Sequence, residues 1–334
     1  MIVTQELRKT FPGQRKLFRP AGPATDAVDG LSLSIPPGAV TGLLGLNGAG
    51  KTTTIKVLAT LLRPTSGSVT VDGLDVVTHA REIRRRINLI AGGERMVYAR
   101  LTGRENLWYF GQLYDVPRAV LNTRIDELLE LVGLTDAAGT VVERYSRGMR
   151  QRLSIARGLI NAPAYLLLDE PTLGLDAPIA RDLRAVVANL ARDGVGVLLT
   201  SHYLAEVEQL CGHVYVVDRG RLVAQGSPTA LTAGTRLPHT VELTLAEHAP
   251  AVSAAVAALG AEFEVGVDAE ERPTFLLRSP EDLAGELATA VVRAGGAIVR
   301  LEVNPPTLED AILAMAGASP AVGAESGRAA VAAR

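Results

Sequence analysis

The chain has 334 residues and a mass of 35.1 kDa, which is long for one domain and comfortable for two. Its 34 basic and 36 acidic side chains leave a formal charge of −2, whereas a dedicated nucleic-acid binder usually carries a clear basic excess. A hydrophobic content of 47% excludes wholesale disorder. The sequence contains no uninterrupted apolar stretch of about 18 residues, so we expect no membrane span. A single cysteine, Cys211, favours a reducing, cytosolic setting.

A glycine-rich loop between a predicted strand and a predicted helix is the most informative stretch of the chain. The apolar run 39–44 predicts a buried strand, and apolar residues recur at helical spacing from Ile55 to Leu62. The loop between them matches the pattern G-x-x-x-x-G-K-[ST]. Its expected nucleotide-binding residues are Gly45, Leu46, Asn47, Gly48, Ala49, Gly50, Lys51, Thr52 and Thr53.

The residue types explain how this loop would bind a nucleoside triphosphate. Glycines let backbone N–H groups converge on phosphate oxygens, and the helix N-terminus adds a partial positive charge. Lys51 would supply a point charge for the β- and γ-phosphates, and the Thr52 hydroxyl is placed to ligate Mg²⁺. A glycine-rich turn without a ligand is the alternative interpretation.

Two later apolar strands end in polar residues that are expected at the same edge of the sheet. The run 165–168 ends in Asp169 and Glu170, and the run 195–200 ends in Ser201 and His202. Carboxyl ends of parallel strands face the ligand crevice of an α/β sheet. Asp169 would hold Mg²⁺, Glu170 could polarise the attacking water, and His202 could contact phosphate. The alternatives are a solvated acidic pair and a structural histidine.

A predicted helix that ends near residue 160 begins at a second possible anion-binding end. Ser146 and Gly148 stand at its start, where backbone N–H groups are unpaired. The spacing alone leaves open whether this end serves the same phosphates.

Together these segments resemble the nucleotide-binding subunit of an ATP-binding cassette (ABC) transporter. The motifs stand in the family's order, with Walker A at 45–52, the signature at 145–149, Walker B at 166–170, the D-loop at 174–176 and the switch histidine at His202. Phe11 stands where the family stacks an aromatic ring on adenine. The resemblance covers about residues 1–230.

The resemblance implies an α/β fold: a P-loop ABC ATPase domain over 1–230, with a helical signature subdomain at about 95–160. It implies ATP and Mg²⁺ as ligands, Glu170 and His202 as catalytic residues, and Thr52 and Asp169 as metal ligands. Two copies would close head to tail as a homodimer, or this chain would close in the same way with a paired ATPase subunit. Ser146, Gly148 and Asp176 would then act at nucleotide sites shared between the copies.

The last hundred residues predict a separate module. Residues 226–238 are linker-like, and 238–316 follow the order βαββαβ of the ferredoxin-like α+β pattern. Residues 317–334 are mostly Ala, Gly and Ser and are expected to be disordered. The module resembles the extension of ABC-2-type exporter ATPases, notably at 306–310.

One departure from the family concerns the Q-loop, where the family usually has a glutamine that contacts Mg²⁺. This chain has Gly92 or Gly93 at that point. Glu94 and Arg95 are therefore the residues that we expect at the interface with a membrane partner.

The favoured function is an ATPase that energises a separate integral-membrane permease, most simply an exporter, from the cytoplasmic face of the cell membrane. No nucleic acid is expected as a partner. The alternatives are a non-transport ABC ATPase acting on DNA or ribosomes, and a small-molecule kinase that uses the same phosphate loop.

Overall fold

The computed structural model describes residues 1–13, 23–91, 97–235, 237–247 and 250–315. The chain divides into two units, Met1–Pro228 and Thr229–Arg334, which are described separately. The first unit contains, in chain order, β1 (Ile2–Phe11), β2 (Thr25–Ile35), β3 (Val40–Leu44), α1 (Lys51–Leu58), β4 (Ser66–Val71), β5 (Leu74–Asp75), α2 (Ala80–Arg86), β6 (Ile87–Ala91), α3 (Gly103–Leu113), α4 (Arg118–Leu131), α5 (Arg147–Leu159), β7 (Tyr165–Asp169), α6 (Ala177–Arg192), β8 (Gly196–Thr200), α7 (Leu204–Leu210), β9 (His213–Asp218) and β10 (Arg221–Gly226).

A six-stranded sheet with the order β10-β9-β3-β8-β7-β6 positions the site. Its neighbouring strands are parallel, except that β9 and β10 form an antiparallel hairpin. Strands β3, β7 and β8 are almost entirely buried, as expected for parallel strands covered on both faces. Because β8 lies between β3 and β7, the loops after these three strands meet at one edge of the sheet.

A second sheet, antiparallel with the order β2-β1-β4-β5, covers part of the first. One hydrophobic cluster joins the two sheets and α1, and its members include Ile2, Leu43, Ile55 and Leu167, each fully buried. This core fixes the start of α1, and therefore the phosphate loop, against the central sheet.

Three helices, α3, α4 and α5, lie between β6 and β7 in the chain. Helix α3 begins with a capping box, because the Thr102 hydroxyl accepts from the Glu105 N–H at 3.1 Å and the Glu105 carboxylate accepts from the Thr102 N–H at 2.8 Å. The helices bury Leu107, Leu128 and Leu153. Helix α5 carries the predicted signature at its first turn.

The second unit contains one antiparallel sheet and its helices. In chain order from the boundary come α8 (Pro228–Gly234), β11 (His239–Leu245), α9 (Pro250–Ala257), β12 (Glu262–Val267), β13 (Pro273–Ser279), α10 (Ala284–Arg293), β14 (Ile298–Asn304) and α11 (Leu308–Met315). The strand order is β12-β13-β11-β14, and side chains of the sheet and of α9 and α10 share one apolar cluster. Residues 316–334, which include the tail expected to be disordered, lie outside the described residues.

The prediction of a linker over 226–238 is wrong, because α8 occupies residues 228–234. Pro228 begins this helix, where a missing N–H costs no hydrogen bond. Leu231 is 5% exposed, so one side of the helix is buried. The glycine and proline that suggest a linker mark only the start of the helix.

Among the described residues, no helix has the length and apolarity needed to cross a bilayer.

Candidate functional site

The phosphate loop joins β3 to α1 and lines a cavity of about 180 Å³. Gly50 caps α1 with φ 102°, and a Cβ there would lie 2.3 Å from the carbonyl oxygen of Ala27. A Cβ on Gly45 would lie 2.1 Å from the carbonyl oxygen of Val217. Backbone packing therefore requires glycine at both positions. The lining residues are Ala27, Asn47, Gly48, Ala49, Gly50, Lys51, Thr52, Thr53 and Glu170.

Lys51 is the cation of this cavity. Its residue is 7% exposed, and its ammonium donates to the carbonyl oxygens of Gly45 at 2.6 Å and Leu46 at 3.2 Å. Burial lowers the pKa of Lys51, and the nearby carboxylates of Glu170 and Asp169 oppose that shift. A phosphate bound in the cavity would place a negative charge next to this buried ammonium and so favour its charged form.

A carboxylate and two hydroxyls meet beside the loop. The Thr52 hydroxyl donates to Asp169 Oδ2 at 3.1 Å, and the Thr200 hydroxyl donates to Asp169 Oδ1 at 2.8 Å. Strand β7 supplies the aspartate, β8 supplies Thr200, and the first turn of α1 supplies Thr52. The structure thus brings together the two residues, Thr52 and Asp169, that the sequence predicts as metal ligands.

Glu170 and His202 form a contact at the same edge. Nε2 of His202 lies 2.7 Å from Oε1 of Glu170, and the imidazole donates because a carboxylate only accepts. Glu170 has φ 53°, an uncommon conformation for a side-chain-bearing residue. Its N–H donates to the carbonyl and hydroxyl oxygens of Thr200, both at 3.1 Å, which holds this conformation. The backbone turn directs the carboxylate into the cavity lining.

The predicted signature residues lie at the start of α5. The Ser146 hydroxyl caps the helix by accepting from the Met149 N–H at 3.2 Å, while the serine itself is exposed. Gly148 is buried, and a Cβ there would lie 2.1 Å from Cδ1 of Ile179. Neither residue lines the cavity of its own phosphate loop. Asp176, predicted from the D-loop, is exposed at the N-cap of α6 without a side-chain cap bond.

Two of the remaining predicted residues, Phe11 and Leu46, are partly exposed. Phe11 is the last residue of β1, is 37% exposed, and lies under the Lys9 ammonium at 5.3 Å from the ring centre. Leu46 is 41% exposed at the rim of the loop. The Q-loop residues of the prediction, 92–95, lie outside the described residues.

Three residues that the sequence did not single out contact the site. Thr200 binds both Asp169 and the Glu170 backbone, Gln151 of α5 donates to the Pro171 carbonyl at 2.7 Å, and the buried Glu206 accepts from Thr172 and Ser201. Thr200 could have been predicted from the sequence, because it is the polar last residue of a buried strand. Gln151 and Glu206 lie inside helices, where a polar residue among apolar ones usually faces solvent.

With this geometry established, comparison with known proteins identifies the family. The family model described as "ABC transporter" matches residues 28–173. The daunorubicin resistance ATP-binding protein DrrA3 of Streptomyces coeruleorubidus is 41% identical over 87% of this chain and 91% of that protein. The ABC transporter ATP-binding protein NatA of Bacillus subtilis (strain 168) is 38% identical over 71% of this chain and 93% of that protein.

A solved structure shows the same fold. The structure of an ATP-binding subunit of an ABC transporter superposes with a TM-score of 0.59 and 26% sequence identity, over 70% of this chain and 92% of that chain. The fold predicted for the first unit is therefore confirmed. The chain belongs to the family of ABC transporter ATP-binding subunits.

Proposed function

We propose that this chain hydrolyses ATP with Mg²⁺ at sites shared between two copies, and so energises export through a separate membrane permease. The observation that carries the proposal is the convergence at one sheet edge of a buried lysine, a hydroxyl–carboxylate pair and a carboxylate–imidazole pair. These are Lys51, Thr52 with Asp169, and Glu170 with His202.

The donor set at Thr52 and Asp169 fits Mg²⁺. Both residues offer hard oxygen atoms, and these approach to 3.1 Å. Within the described part of the chain, no group of three or more His, Cys, Asp or Glu side chains could hold a metal ion. An ion held by two protein oxygens would take its other ligands from phosphate and water, which is the usual condition of Mg²⁺ in such sites. Bound there, the ion would neutralise charge on the phosphate oxygens.

The chain's own residues account for the hydrolytic step. Lys51 binds the phosphate oxygens, and the loop N–H groups orient the triphosphate. Glu170 accepts a proton from the attacking water as the water oxygen bonds to the γ-phosphorus and the bond to the ADP oxygen breaks. His202 orients the Glu170 carboxylate through their 2.7 Å contact and is proposed to contact the γ-phosphate.

A second copy is proposed because the signature residues do not reach the phosphate-loop cavity of the same chain. Ser146 is exposed at the N-terminus of a 13-residue helix, and neither Ser146 nor Gly148 lines the cavity of its own phosphate loop. In a symmetric pair, each α5 N-terminus would face the γ-phosphate in the partner's phosphate loop. The exposed Asp176 would lie at the same interface.

A permease interface is proposed on α3 and the residue stretch before it. Tyr98 and Trp108 are 50% and 47% exposed, and Tyr98 contacts Tyr109 and Phe110 with ring centres 5.1 and 5.8 Å apart. Exposed aromatic groups of this kind are typical of protein interfaces. Glu94 and Arg95, just before this group in the chain, are proposed to join the interface. The name of one relative mentions daunorubicin resistance and the name of the other mentions no cargo, so no cargo is assigned.

The test is purification of the tagged chain from detergent-solubilised membranes. We expect an integral-membrane protein to copurify in a stoichiometric ratio, and Trp108→Ser to reduce that ratio while ATPase activity of the isolated chain stays within a factor of two. Val120→Ser, which also replaces an exposed apolar side chain of the helical segment, is the matched control. Copurification with ribosomes or DNA instead would overturn the transport function.

A further inference from the structure

Glu206 of α7 is a buried carboxylate with three hydrogen-bond donors. The residue is 3% exposed. Its Oε2 accepts from the hydroxyls of Thr172 at 2.9 Å and Ser201 at 3.0 Å, and its Oε1 accepts from the Arg184 guanidinium at 2.9 Å. A buried charge is tolerated when it is paired and hydrogen-bonded in this way, and removing one partner is costly. The three contacts therefore hold Thr172, Ser201 and Arg184 in place around Glu206.

Two of the three donors come from the two loops that carry the reacting pair. Thr172 follows Glu170 by two residues, and Ser201 directly precedes His202. Arg184 comes from α6, the helix that begins after Asp176. One carboxylate thus binds the loop after β7 and the loop after β8 at the same time.

Each loop needs such a restraint for the 2.7 Å contact between Glu170 and His202 to persist. Glu170 has an uncommon φ of 53°, and the imidazole is 43% exposed, so packing alone does not hold it. The loop after β7 is also held by Gln151, which donates to the Pro171 carbonyl at 2.7 Å. Reacting groups must be placed to within a fraction of an ångström, and an error of about 1 Å can cost a hundredfold in rate.

We propose that Glu206 is a positioning residue of the ATPase: it holds the Glu170 and His202 loops together through Thr172 and Ser201. The inference rests on the proposed catalytic roles of Glu170 and His202. A glutamine at 206 would keep the size of the side chain but offer only one oxygen. If its amide group faced the guanidinium, no hydrogen bond would form, because a guanidinium cannot accept one. If the amide faced the two hydroxyls, it could only donate, so both hydroxyl bonds would have to reverse direction.

The test compares Glu206→Gln with the wild type and with Glu208→Gln, which alters an exposed carboxylate of the same helix. We expect Glu206→Gln to lower kcat at least tenfold while the Kd of a fluorescent ATP analogue changes little. Its thermal midpoint should fall as well, because the Arg184 guanidinium loses its charged partner. Glu208→Gln should retain wild-type kcat. Ser201→Ala removes one of the three contacts and little volume, and it should lower kcat several-fold. In the double variant with Glu206→Gln, the loss of kcat should be smaller than the product of the two separate losses, because both changes remove the same contact.

Each outcome discriminates. A kcat of Glu206→Gln within a factor of two of wild type overturns the proposal. A loss of nucleotide affinity in proportion to kcat also overturns it, because the carboxylate would then maintain the nucleotide site as a whole and not place the reacting pair. If Glu206→Gln does not fold, Ser201→Ala decides, and an unchanged kcat rejects the positioning role. Unchanged turnover of Glu170→Gln would instead refute the catalytic role of Glu170 on which the inference rests.

Discussion

Replacing Glu170 with glutamine separates chemistry from binding at this site. The glutamine oxygen can still accept from Nε2 of His202, which lies 2.7 Å from the carboxylate. The two bonds that fix the Glu170 turn come from its backbone N–H to Thr200, so they are unaffected. The substitution therefore removes the proton acceptor and little else. Because positioned general bases contribute about 10²–10⁴-fold, we expect kcat to fall by that factor, which corresponds to roughly 3–5 kcal/mol of barrier.

The assay is phosphate release by the purified chain at saturating ATP and Mg²⁺, with nucleotide affinity measured in parallel. ATP affinity should stay within a few-fold of wild type, and the variant should accumulate as an ATP-bound dimer on size-exclusion chromatography. Glu130→Gln, an exposed carboxylate of α4, is the control and should behave as wild type. Turnover by Glu170→Gln within a factor of two of wild type would show that another group accepts the proton.

Three further substitutions test the phosphate loop. Lys51→Ala should abolish phosphate release and weaken ATP binding, because it removes the buried cation of the cavity, and unchanged affinity together with unchanged hydrolysis would reject the assignment. Gly48→Ala should destabilise the nucleotide-free protein by about 1–2 kcal/mol through its positive φ of 82°, since a Cβ there meets no described atom within 4 Å. Gly50→Ala should cost a further 1–3 kcal/mol or so, because its Cβ would lie 2.3 Å from the Ala27 carbonyl oxygen. Urea unfolding measures both, and equal costs would contradict the packing argument.

The parts of the site that could be predicted from the sequence are those whose residues lie close together in the chain or at the ends of apolar strands. The phosphate loop has a fixed pattern between a strand and a helix, and the apolar runs that end at Asp169, Glu170 and His202 could be placed at one edge because parallel strands share their direction. The structure places these residues at that edge, with Thr52 bonded to Asp169 and His202 to Glu170.

Contacts between distant segments could not be predicted in the same way. Gln151 and Glu206 interact with residues 20 and 34 positions away, and only the packed helices show that their side chains face inward. The helix at 228–234 was missed because Gly226 and Pro228 are typical of linkers as well as of helix starts. The antiparallel sheet of β1, β2, β4 and β5 was likewise not predicted as a unit, since strand pairing depends on the whole fold.

The shared nucleotide site is the central claim, and mixing two inactive variants tests it most directly. Lys51→Ala damages the phosphate loop of one copy, and Ser146→Arg damages the signature of the other. In a mixed head-to-tail dimer both lesions fall in one site and the second site is intact. After equal mixing half of the dimers are mixed and each has one intact site of two, so about a quarter of wild-type ATPase activity should return if the sites fire independently. Activity of the mixture no higher than that of the separate variants, with subunit exchange confirmed, would contradict the shared site, and so would an active Ser146→Arg protein on its own.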